Sequence, residues 1–404
     1  MKVIQINEVC SLGSTGSICQ EISDFSNSSG ISNIVFYGQK NSKYEFSCKF
    51  GQRWENLFHS LIFTRILGLH GFGSIFNTFG LIKKLKKHNP DVIHLHNLHT
   101  NFINYPILYH YIAKANIPVV MTLHDCYNFT GQCEHYVGVN CDKFQSGCGQ
   151  CPFIHKTIAA SLFFDWSKWL LAKKRRWYER IERMTVVAVS KWLQNEASKS
   201  VLAIEGHDIT CVYNWINTNV FYPRPINELQ LIRSKYSLNS EKKYIIAVAA
   251  VWKHDTTKYE DILKLNDLLP SNYQIIVVGG NGPNTVFPND IVRINYTENA
   301  DELACLYSIA DAYVHVSVCD TFGKVIVEAM ACGTTPIVYN STACSEVTGG
   351  FGITVNPHDV FAIVSSLNIL PQNSDAMIDF VRKNYDKECN IAKYLDIYKK
   401  LLKK

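Results

Sequence analysis

The stretch DAYVHVSVCDTFGKVIVEAMACGTTPIVYN, Asp311 to Asn340, decides the fold class of this chain. It opens with an apolar strand pattern that ends at Val318, continues with helical spacing from about Phe322 to Cys332, and closes with a second apolar strand. Gly333 stands where a helix C-terminus favours glycine. A strand, a helix and a strand in this order predict a βαβ unit with two parallel strands.

The same alternation runs through both halves of the chain, which predicts parallel sheets covered by helices. The strand patterns are KVIQI, SNIVFYG, DVIHLH, IPVVMTLH and MTVVAVS in the first half, and YIIAVAAV, YQIIVVGG, DIVRINY, DAYVHVSV and TTPIVYN in the second. Asn214 to Glu228, which contains two Pro, is typical of an interdomain connection. We expect two doubly wound α/β domains, 1–215 and 216–385, with a C-terminal helix at 386–404 that packs on the first. Their strand ends would face a shared ligand-binding cleft.

The composition is that of a globular protein with enough apolar residues for two cores, since 47% of its 404 residues are hydrophobic. The net charge of +5 arises from 40 basic and 35 acidic residues and argues against a nucleic-acid partner. The start MKVIQINEV has a strand pattern and not that of a secretion signal, and Arg65 interrupts the best candidate for a membrane span, LFHSLIFTRILGLHGFGSIF. We expect a cytoplasmic protein whose 14 cysteines are mostly reduced.

Two acids flank the predicted turn and helix start. Asp320 follows the strand, and the backbone N–H groups of Gly323 and Lys324 lie in the first helical turn, where unpaired donors attract phosphate. Lys324 and Glu328 share a helix face, and the simplest interpretation is that they form only a surface ion pair. Lys before Glu is the less favourable order for such a pair, however, and a Glu beyond a phosphate-binding turn can accept hydrogen bonds from ribose hydroxyls.

The segment DTFGKVIVEAMACGTTPIVYNSTACSEV resembles the donor-site signature of retaining glycosyltransferases of family 4. The segments GSTGS, PDVIHLHNLHTNF, TLHDCYNFTGQCEHY, CDKFQSGCGQCP, VAVSKWL and NWINTNVFYP are similar, in the same order, to the branch that builds bacterial surface polysaccharides such as O-antigen and colanic acid. The resemblance implies the GT-B fold, with two Rossmann-like domains facing a central cleft. It also implies transfer of a sugar from a GDP- or UDP-sugar to a growing lipid-linked oligosaccharide.

The resemblance assigns roles to residues of the second domain. Glu328 would hold the ribose, Gly323 and Lys324 would meet the diphosphate or sugar, and Asp320 would contact the donor sugar. Asp320 is a departure, because the family usually has Glu there. Lys258 corresponds to a family Lys that neutralises the leaving diphosphate, and Lys253 stands near the position of a family Arg. The whole predicted donor site comprises Gly13, Thr15, Gly16, Lys253, Lys258, Tyr296, Thr297, Asp320, Phe322, Gly323, Lys324 and Glu328, with Tyr296 and Thr297 near the base.

The first domain is expected to hold the acceptor. The glycines of GSTGS, Gly13 to Ser17, permit a tight turn between the first strand and helix, close to the donor diphosphate. His124 corresponds to a family His near the reacting sugar, although an isolated His beside Asp125 could simply be paired with it. We predict a catalytic set of His124, Asp320 and Lys258. The predicted acceptor-side residues are His96, Asn97, His99 and Asp125.

Two features raise the question of a metal. His94 and His96 alternate on one strand face and could touch one ion, yet acceptor-side or packing roles are the preferred interpretation. The loop cysteines, which include a CxxC pair, predict a structural zinc site. His135 could replace one ligand, and buried free thiols are the alternative. The predicted zinc ligands are Cys133, Cys141, Cys148 and Cys151.

Catalysis is expected to need no metal or other cofactor. The chain contains no D-x-D triplet, which is the usual metal ligand of the other large glycosyltransferase fold. Two alternatives stay open from the sequence. A GT-B-like sugar-nucleotide epimerase would use the same donor site, and a non-catalytic GT-B partner subunit would explain Asp320 and the missing Arg.

Peripheral attachment to an anionic membrane is the last expectation. The segment Phe153 to Arg183 combines aromatic residues with Lys168 and the basic block Lys173 to Arg176. An ordinary core face with a solvated basic face is the alternative. The resemblance favours the membrane, because enzymes of this branch commonly extend lipid-linked sugars at the cytoplasmic leaflet.

Overall fold

The computed structural model describes residues 1–371 and 374–403, which form two compact units. Unit 1 comprises Met1–Val212 and the chain from Ile391 onward, and unit 2 comprises Tyr213–Asn390. The sequence analysis had placed the two divisions after residues 215 and 385.

Unit 1 is built on a seven-stranded parallel sheet with the strand order β3-β2-β1-β4-β5-β6-β7. The inner strand β5 is buried at every residue because the sheet is covered by helices, which is the usual arrangement for parallel strands. The strands are β1 Lys2–Asn7, β2 Ser32–Tyr37, β3 Ser47–Lys49, β4 Val92–Leu95, β5 Val119–Leu123, β6 Met184–Ala188 and β7 Asp208–Cys211.

Helices connect the strands of unit 1 except β2 and β3, which follow each other directly. The helices are α1 Gly13–Ser28, α2 Arg53–Phe58, α3 Ile75–His88, α4 Tyr105–Ala115, α5 Ser167–Tyr178 and α6 Lys191–Ser198. A π-helical segment, His59–Ile66, extends α2, and three short 3₁₀ turns lie at Tyr127–Phe129, Val137–Val139 and Lys143–Gln145.

Unit 2 repeats the plan with a six-stranded parallel sheet in the order β10-β9-β8-β11-β12-β13. Its strands are β8 Lys243–Trp252, β9 Tyr273–Asn281, β10 Val292–Ile294, β11 Ala312–His315, β12 Thr335–Tyr339 and β13 Ile353–Val355. The helices are α7 Ile226–Lys235, α8 Thr257–Leu268, α9 Ala300–Ile309, α10 Lys324–Ala331, α11 Cys344–Val347, α12 Val360–Ser366 and α13 Ser374–Tyr385.

The last helix, α14 Lys387–Lys403, contributes buried tyrosines to unit 1. The Tyr398 hydroxyl lies 2.7 Å from Nδ1 of His94, and the Tyr394 hydroxyl lies 3.3 Å from the Thr122 hydroxyl. The part of α14 from Ile391 onward is therefore an integral part of the unit 1 core.

The βαβ unit that opened the sequence analysis is present with shorter elements than predicted. Strand β11 ends at His315 and not at Val318, because its pairing with β12 stops there. Helix α10 begins at Lys324 and not at Phe322, because Gly323 has a left-handed backbone with φ of 77° that cannot continue a helix. The turn that carries Asp320 is therefore longer than expected.

Candidate functional site

The predicted donor residues of unit 2 follow the carboxyl ends of its parallel strands. Lys253 and Lys258 come after β8, Tyr296 and Thr297 after β10, and Asp320 after β11. The carboxyl ends of parallel strands lie at one edge of a sheet, where ligands of doubly wound folds bind. The topology therefore brings these residues to one edge of unit 2.

The turn before α10 is shaped for close approach of a ligand. Gly323 is the residue before the first helical turn, and no side chain caps that helix end. Unpaired N–H groups at a helix start, with the positive end of the helix dipole, favour a phosphate group. Lys324 is the first helical residue, and its ammonium forms no ion pair with the carboxylates of the described chain.

Glu328 is an acid that the fold buries without pairing. Its side chain is 8% exposed, and no described residue forms a hydrogen bond or an ion pair with its carboxylate. Burial raises the pKa of Glu328 to about 7, although the Lys324 charge opposes the shift. The surface ion pair considered from the sequence is therefore not formed. A buried carboxylate without a partner is suited to accept hydrogen bonds from ligand hydroxyls.

Asp320 is held by a chain of side chains that starts inside strand β11. Oδ2 of Asp320 lies 2.8 Å from Nε2 of His315, and Nδ1 of His315 lies 2.7 Å from the Tyr313 hydroxyl. Burial disfavours the imidazolium, yet Tyr313 and the Asp320 carboxylate raise the pKa of His315 well above its ordinary value. Nε2–H of His315 thus donates to the Asp320 carboxylate, and Asp320 stays about one third exposed.

A metal is a poor explanation for this group. Ligand atoms of His315, Asp320 and Cys344 lie within 4.8 Å of one another, and they form the one such set of three within residues 1–371 and 374–403. The 2.8 Å separation of His315 and Asp320 is that of a charge-assisted hydrogen bond. Two ligands about 2.1 Å from a tetrahedral zinc stand farther apart than this. The arrangement therefore orients Asp320 without an ion.

The two lysines after β8 differ in their surroundings. Lys253 is exposed, whereas Lys258 is half-buried in the first turn of α8, with Nζ 5.5 Å from the centre of the Trp252 ring. Burial lowers the pKa of Lys258, while the nearby Asp320 carboxylate opposes the shift and Lys253 adds to it. Lys258 and Asp320, two members of the predicted catalytic set, thus lie near enough for the carboxylate to act on the ammonium.

The remaining donor candidates divide into exposed and internal side chains. Tyr296 is 67% exposed, and its hydroxyl lies above Gly280 and donates to the Ala250 carbonyl at 3.3 Å. Thr297 beside it is half-buried. Phe322 is only 2% exposed and packs against Tyr385, so only its backbone is available to a ligand.

The GSTGS motif of unit 1 lies in the first turns of α1 and not in a loop before the helix, so that prediction was wrong. Gly13 is the first helical residue with φ of 63°, and Thr15 follows within the first turn. A side chain on Gly16 would approach the Ser11 nitrogen and the Val9 side chain to 3.2 Å. The glycines thus permit a tight entry into the helix.

Three histidines of unit 1 stack at the ends of β4 and β5. The His94 and His96 rings are 3.9 Å apart, and His96 and His124 stack with a 5.3 Å centroid separation. His94 is fully buried, with both nitrogens bonded to Tyr398 and Thr122, so it has a packing role. Burial lowers the pKa of His96 far below its ordinary value and that of His124 to about 4, so both are neutral.

The hydrogen bonds of this stack determine its tautomers. Gln5 donates its amide N–H groups to Cys19 and Asn33, so its Oε1 accepts from Nε2–H of His96 at 2.9 Å. Nδ1 of His96 must then accept from Nε2–H of His124 at 3.0 Å. Neutral His124 therefore carries its lone pair on Nδ1.

The other acceptor-side candidates lie beside this stack. Nε2 of His99 is 2.7 Å from Oδ2 of Asp125, and both side chains are buried. Burial disfavours both charges, but the pair lowers the pKa of Asp125 to about 2 and raises the pKa of His99. Asp125 is thus paired with His99, while the backbone of Asn97 donates to Asn7.

A cavity of about 690 Å³ opens beside the loops that follow β2, β3 and β4 in unit 1. Lys40, Lys49 and Arg53 contribute three positive charges, and no carboxylate lines it. Amide side chains supply hydrogen-bonding groups, and Thr100 and Asn101 follow His99 directly. The sequence analysis missed this cavity, because its lining residues come from segments far apart in the chain.

The basic block of α5 is only partly on the surface. Lys174 is 3% exposed and donates from Nζ to the carbonyls of Tyr127 and Thr130, whereas Arg175 and Arg176 are exposed. Burial lowers the pKa of Lys174 to about 7. The expectation that Lys174 contributes to the basic surface was therefore wrong, because its side chain is buried. No helix in the described chain is long and apolar enough to span a bilayer.

The chain is similar to known glycosyltransferases over most of its length. Residues 43–220 match the family described as Glycosyltransferase Family 4, and residues 230–387 match Glycosyl transferases group 1. The chain is 24% identical to alpha-monoglucosyldiacylglycerol synthase of Acholeplasma laidlawii over 83% of each protein. It is also 24% identical to O-antigen chain mannosyltransferase RfbU of Salmonella typhimurium over 48% of this chain and 53% of that protein.

Solved structures agree on the fold. The crystal structure of Anabaena HepE in complex with UDP and glucose aligns with 99% of this chain and 100% of that chain, with a TM-score of 0.67 and 13% sequence identity. This likeness confirms the predicted GT-B fold class, in which both domains are α/β units with parallel sheets.

Proposed function

Because the chain belongs to glycosyltransferase family 4, we propose that it transfers a sugar from a UDP- or GDP-sugar to a growing lipid-linked oligosaccharide, with retention of anomeric configuration. The observation that carries the proposal is Glu328, a buried carboxylate without a partner that lies one helical turn beyond an uncapped helix start. The similarity to an O-antigen mannosyltransferase supports surface-polysaccharide synthesis as the setting.

In the proposed complex, unit 2 binds the donor. Glu328 accepts hydrogen bonds from the ribose hydroxyls, and the N–H groups at Gly323 and Lys324 receive the diphosphate. Lys258 supplies positive charge to the same diphosphate. Asp320, oriented by His315, accepts a hydrogen bond from a hydroxyl of the transferred sugar.

The reaction breaks the bond between the anomeric carbon and the diphosphate oxygen and forms a bond from that carbon to an acceptor hydroxyl oxygen. The acceptor proton passes to the departing diphosphate oxygen, so the products are the extended oligosaccharide and a nucleoside diphosphate. Lys258 and the start of α10 stabilise the charge that develops on the leaving group. Neutral His124 contacts the donor sugar through Nδ1.

The acceptor is proposed to bind unit 1. The cavity lined by Lys40, Lys49 and Arg53 suits an anionic ligand with many hydroxyls, such as the diphosphate and first sugars of a polyprenyl-linked oligosaccharide. Lys40 and Arg53 make no ion pair with the described carboxylates, so their charges can serve a bound diphosphate. Asn97 would then border the acceptor. His96, His99 and Asp125, also predicted on the acceptor side, are buried and would support this edge from inside.

Membrane attachment is proposed through an aromatic surface of unit 1 that borders the cavity at Leu57 and Ile158. Backbone and side-chain hydrogen bonds from Leu162 to Arg65 and from Trp166 to Leu67 join its segments. Exposed aromatic side chains beside basic residues suit the bilayer interface. The aromatic surface comprises Trp54, Leu57, Phe58, Leu61, Phe76, Phe79, Phe163, Phe164, Trp166 and Trp169, each at least 37% exposed.

Co-sedimentation with vesicles tests the attachment. Wild-type protein should bind anionic vesicles, and binding should fall with salt and in a Phe76→Ser and Phe163→Ser double variant. Replacing Lys168, Lys173 and Arg176 with Ser should also weaken binding, since each basic residue contributes about 1 kcal/mol near anionic lipid. The matched control replaces Lys83, Lys86 and Lys87 with Ser. These lysines lie toward the end of α3, away from Phe76 near its start. Equal loss in the control, or no binding at all, would refute the proposed surface.

The activity is tested by product analysis with a panel of UDP- and GDP-sugars. Transfer to a lipid-linked oligosaccharide, undiminished by EDTA in a short assay, is the expected result. Conversion of one sugar nucleotide into another without an acceptor would instead indicate an epimerase. Immediate loss of transfer in EDTA, restored by Mg²⁺ or Mn²⁺, would contradict the metal-free mechanism.

A further inference from the structure

Four cysteines of unit 1 line a small cavity that has no part in the proposed transfer. Its volume is about 20 Å³, and all four thiols are free of disulfides. His135, considered from the sequence as a replacement ligand, does not line it, and neither does Cys126. The lining cysteines are Cys133, Cys141, Cys148 and Cys151, the set predicted from their spacing.

The backbone around the CxxC pair is shaped like a ligand-binding turn. Four consecutive residues, Gly147 to Gln150, have left-handed φ angles of 133°, 51°, 105° and 48°. Two of them are not glycine, so the turn needs a compensating interaction. The backbone N–H of Gly131 donates to Sγ of Cys148 at 3.3 Å, a contact that stabilises a thiolate.

Lys174 is a buried amine that lies near enough to Cys148 and Cys133 for their thiols to influence its pKa. Its Nζ lies 3.0 Å from the Thr130 carbonyl and 3.5 Å from the Tyr127 ring centre. No described carboxylate lies within 4.0 Å of it. Burying an ammonium without an anion is unfavourable. Four thiolates around one Zn²⁺ carry a net charge of −2 and would supply the missing anion.

We propose that Cys133, Cys141, Cys148 and Cys151 bind one structural Zn²⁺. The ion would cross-link the irregular segment between β5 and α5, which has only short 3₁₀ turns of its own. Binding draws the four sulfurs to about 3.8 Å from one another, as Zn–S bonds of about 2.3 Å require. They are more widely spread in the ion-free chain, since no three of them lie within 4.8 Å. Rotation about the single side-chain bond of each Cys would have to bring the sulfurs together on binding.

Metal analysis of protein purified under reducing conditions without chelator tests the site. The wild type should contain about one zinc per chain. Cobalt substitution should give the thiolate-to-metal charge-transfer band and the intense visible bands of tetrahedral Co²⁺. Titration with a mercurial should release the zinc in step with four thiols. These measurements use the intact wild type, so they do not depend on the folding of a variant.

Single Cys→Ser variants assign the ligands. Cys148→Ser and Cys151→Ser should lose most of the zinc, whereas Cys126→Ser in the same segment and Cys48→Ser outside it should keep it. Wild-type protein without zinc or another bound metal, or with a mass that indicates disulfides between these cysteines, would overturn the proposal. Slow loss of activity in EDTA that parallels zinc release would support a structural ion. Such a loss would differ from the immediate loss expected if the transfer reaction itself needed a metal.

Discussion

The two units carry polar groups at corresponding sheet edges, yet they treat charge in opposite ways. At the strand ends of unit 1, His96 and His124 are neutral and stacked, and the charged pair of His99 with Asp125 is internally satisfied. In unit 2, Glu328 is buried without a partner and Lys258 is half-buried beside Asp320. The polar groups at this edge of unit 1 are thus paired with one another, whereas the corresponding edge of unit 2 keeps Glu328 without a partner. The contrast favours unit 2 as the site of the proposed donor, where a ligand would complete the charges, and it favours a packing role for the edge of unit 1.

The largest effect is expected at Lys258. Lys258→Ala should lower kcat/KM for transfer by about 10²–10³-fold, because it removes a preorganised charge from the leaving diphosphate. Lys253→Ala is the matched control, since Lys253 follows the same strand but is exposed. Steady-state kinetics with the preferred donor measures both. Equal losses in the two variants would show that only the overall positive charge of this loop matters.

The charged pair of unit 1 should contribute to stability. The pKa of Asp125 is lowered to about 2 from an ordinary 3.8, so its contribution is present above the ordinary value and is lost as the pH falls through about 2. The raised pKa of His99 adds a second contribution to stability, which is lost as the pH rises through the pKa of His99 in the folded protein. Asp125→Asn should therefore reduce the free energy of unfolding by about 2 kcal/mol at mildly acidic pH. Denaturant titration checks this, with exposed Asp142→Asn as the control. A loss that does not shrink at alkaline pH would count against the pair.

Glu328 should make nucleotide binding pH-dependent. Its pKa of about 7 means that it is mostly protonated below that pH, while ribose hydroxyls donate best to the ionised form. The affinity for a nucleoside diphosphate should rise about tenfold from one pH unit below this value to one above. Calorimetry of Glu328→Gln should show weaker binding and lose this part of the pH dependence, leaving only the titration of the phosphate itself. An identical pH profile in both proteins would remove Glu328 from the ribose site.

A smaller effect is expected at His315, which acts only by positioning Asp320. His315→Gln should lower kcat by about tenfold or less, with little change in the affinity for the free diphosphate. It should also add little to Asp320→Asn in the double variant, because both changes disrupt one contact. Additive losses would mean that His315 serves the reaction by another route.

Much of the fold could be read from the sequence, because apolar periodicity and Gly positions report on local structure. The βαβ unit at Asp311–Asn340 is an example, although Gly323 moved its helix start to Lys324. Contacts between segments that are distant in the chain could not be predicted, because apolar periodicity reports only on local structure. Gln5 fixes the tautomer of His96, and Tyr398 holds His94 from the far end of the chain. His315 could have been noticed, since it lies five residues before Asp320 in the same motif. Nothing local distinguishes buried Lys174 from its exposed neighbours.

The most direct test of the account is a transfer assay that compares wild type with Lys258→Ala and Glu328→Gln. Radiolabelled UDP- and GDP-sugars are incubated with lipid-linked oligosaccharides, and the label in the lipid fraction is measured. We expect that one donor labels the acceptor and that Lys258→Ala nearly abolishes labelling. The Glu328→Gln variant should label weakly at low donor concentration and recover when the donor concentration is raised. Labelling that persists at the wild-type rate in both variants would contradict the claim that unit 2 binds the donor through these charges.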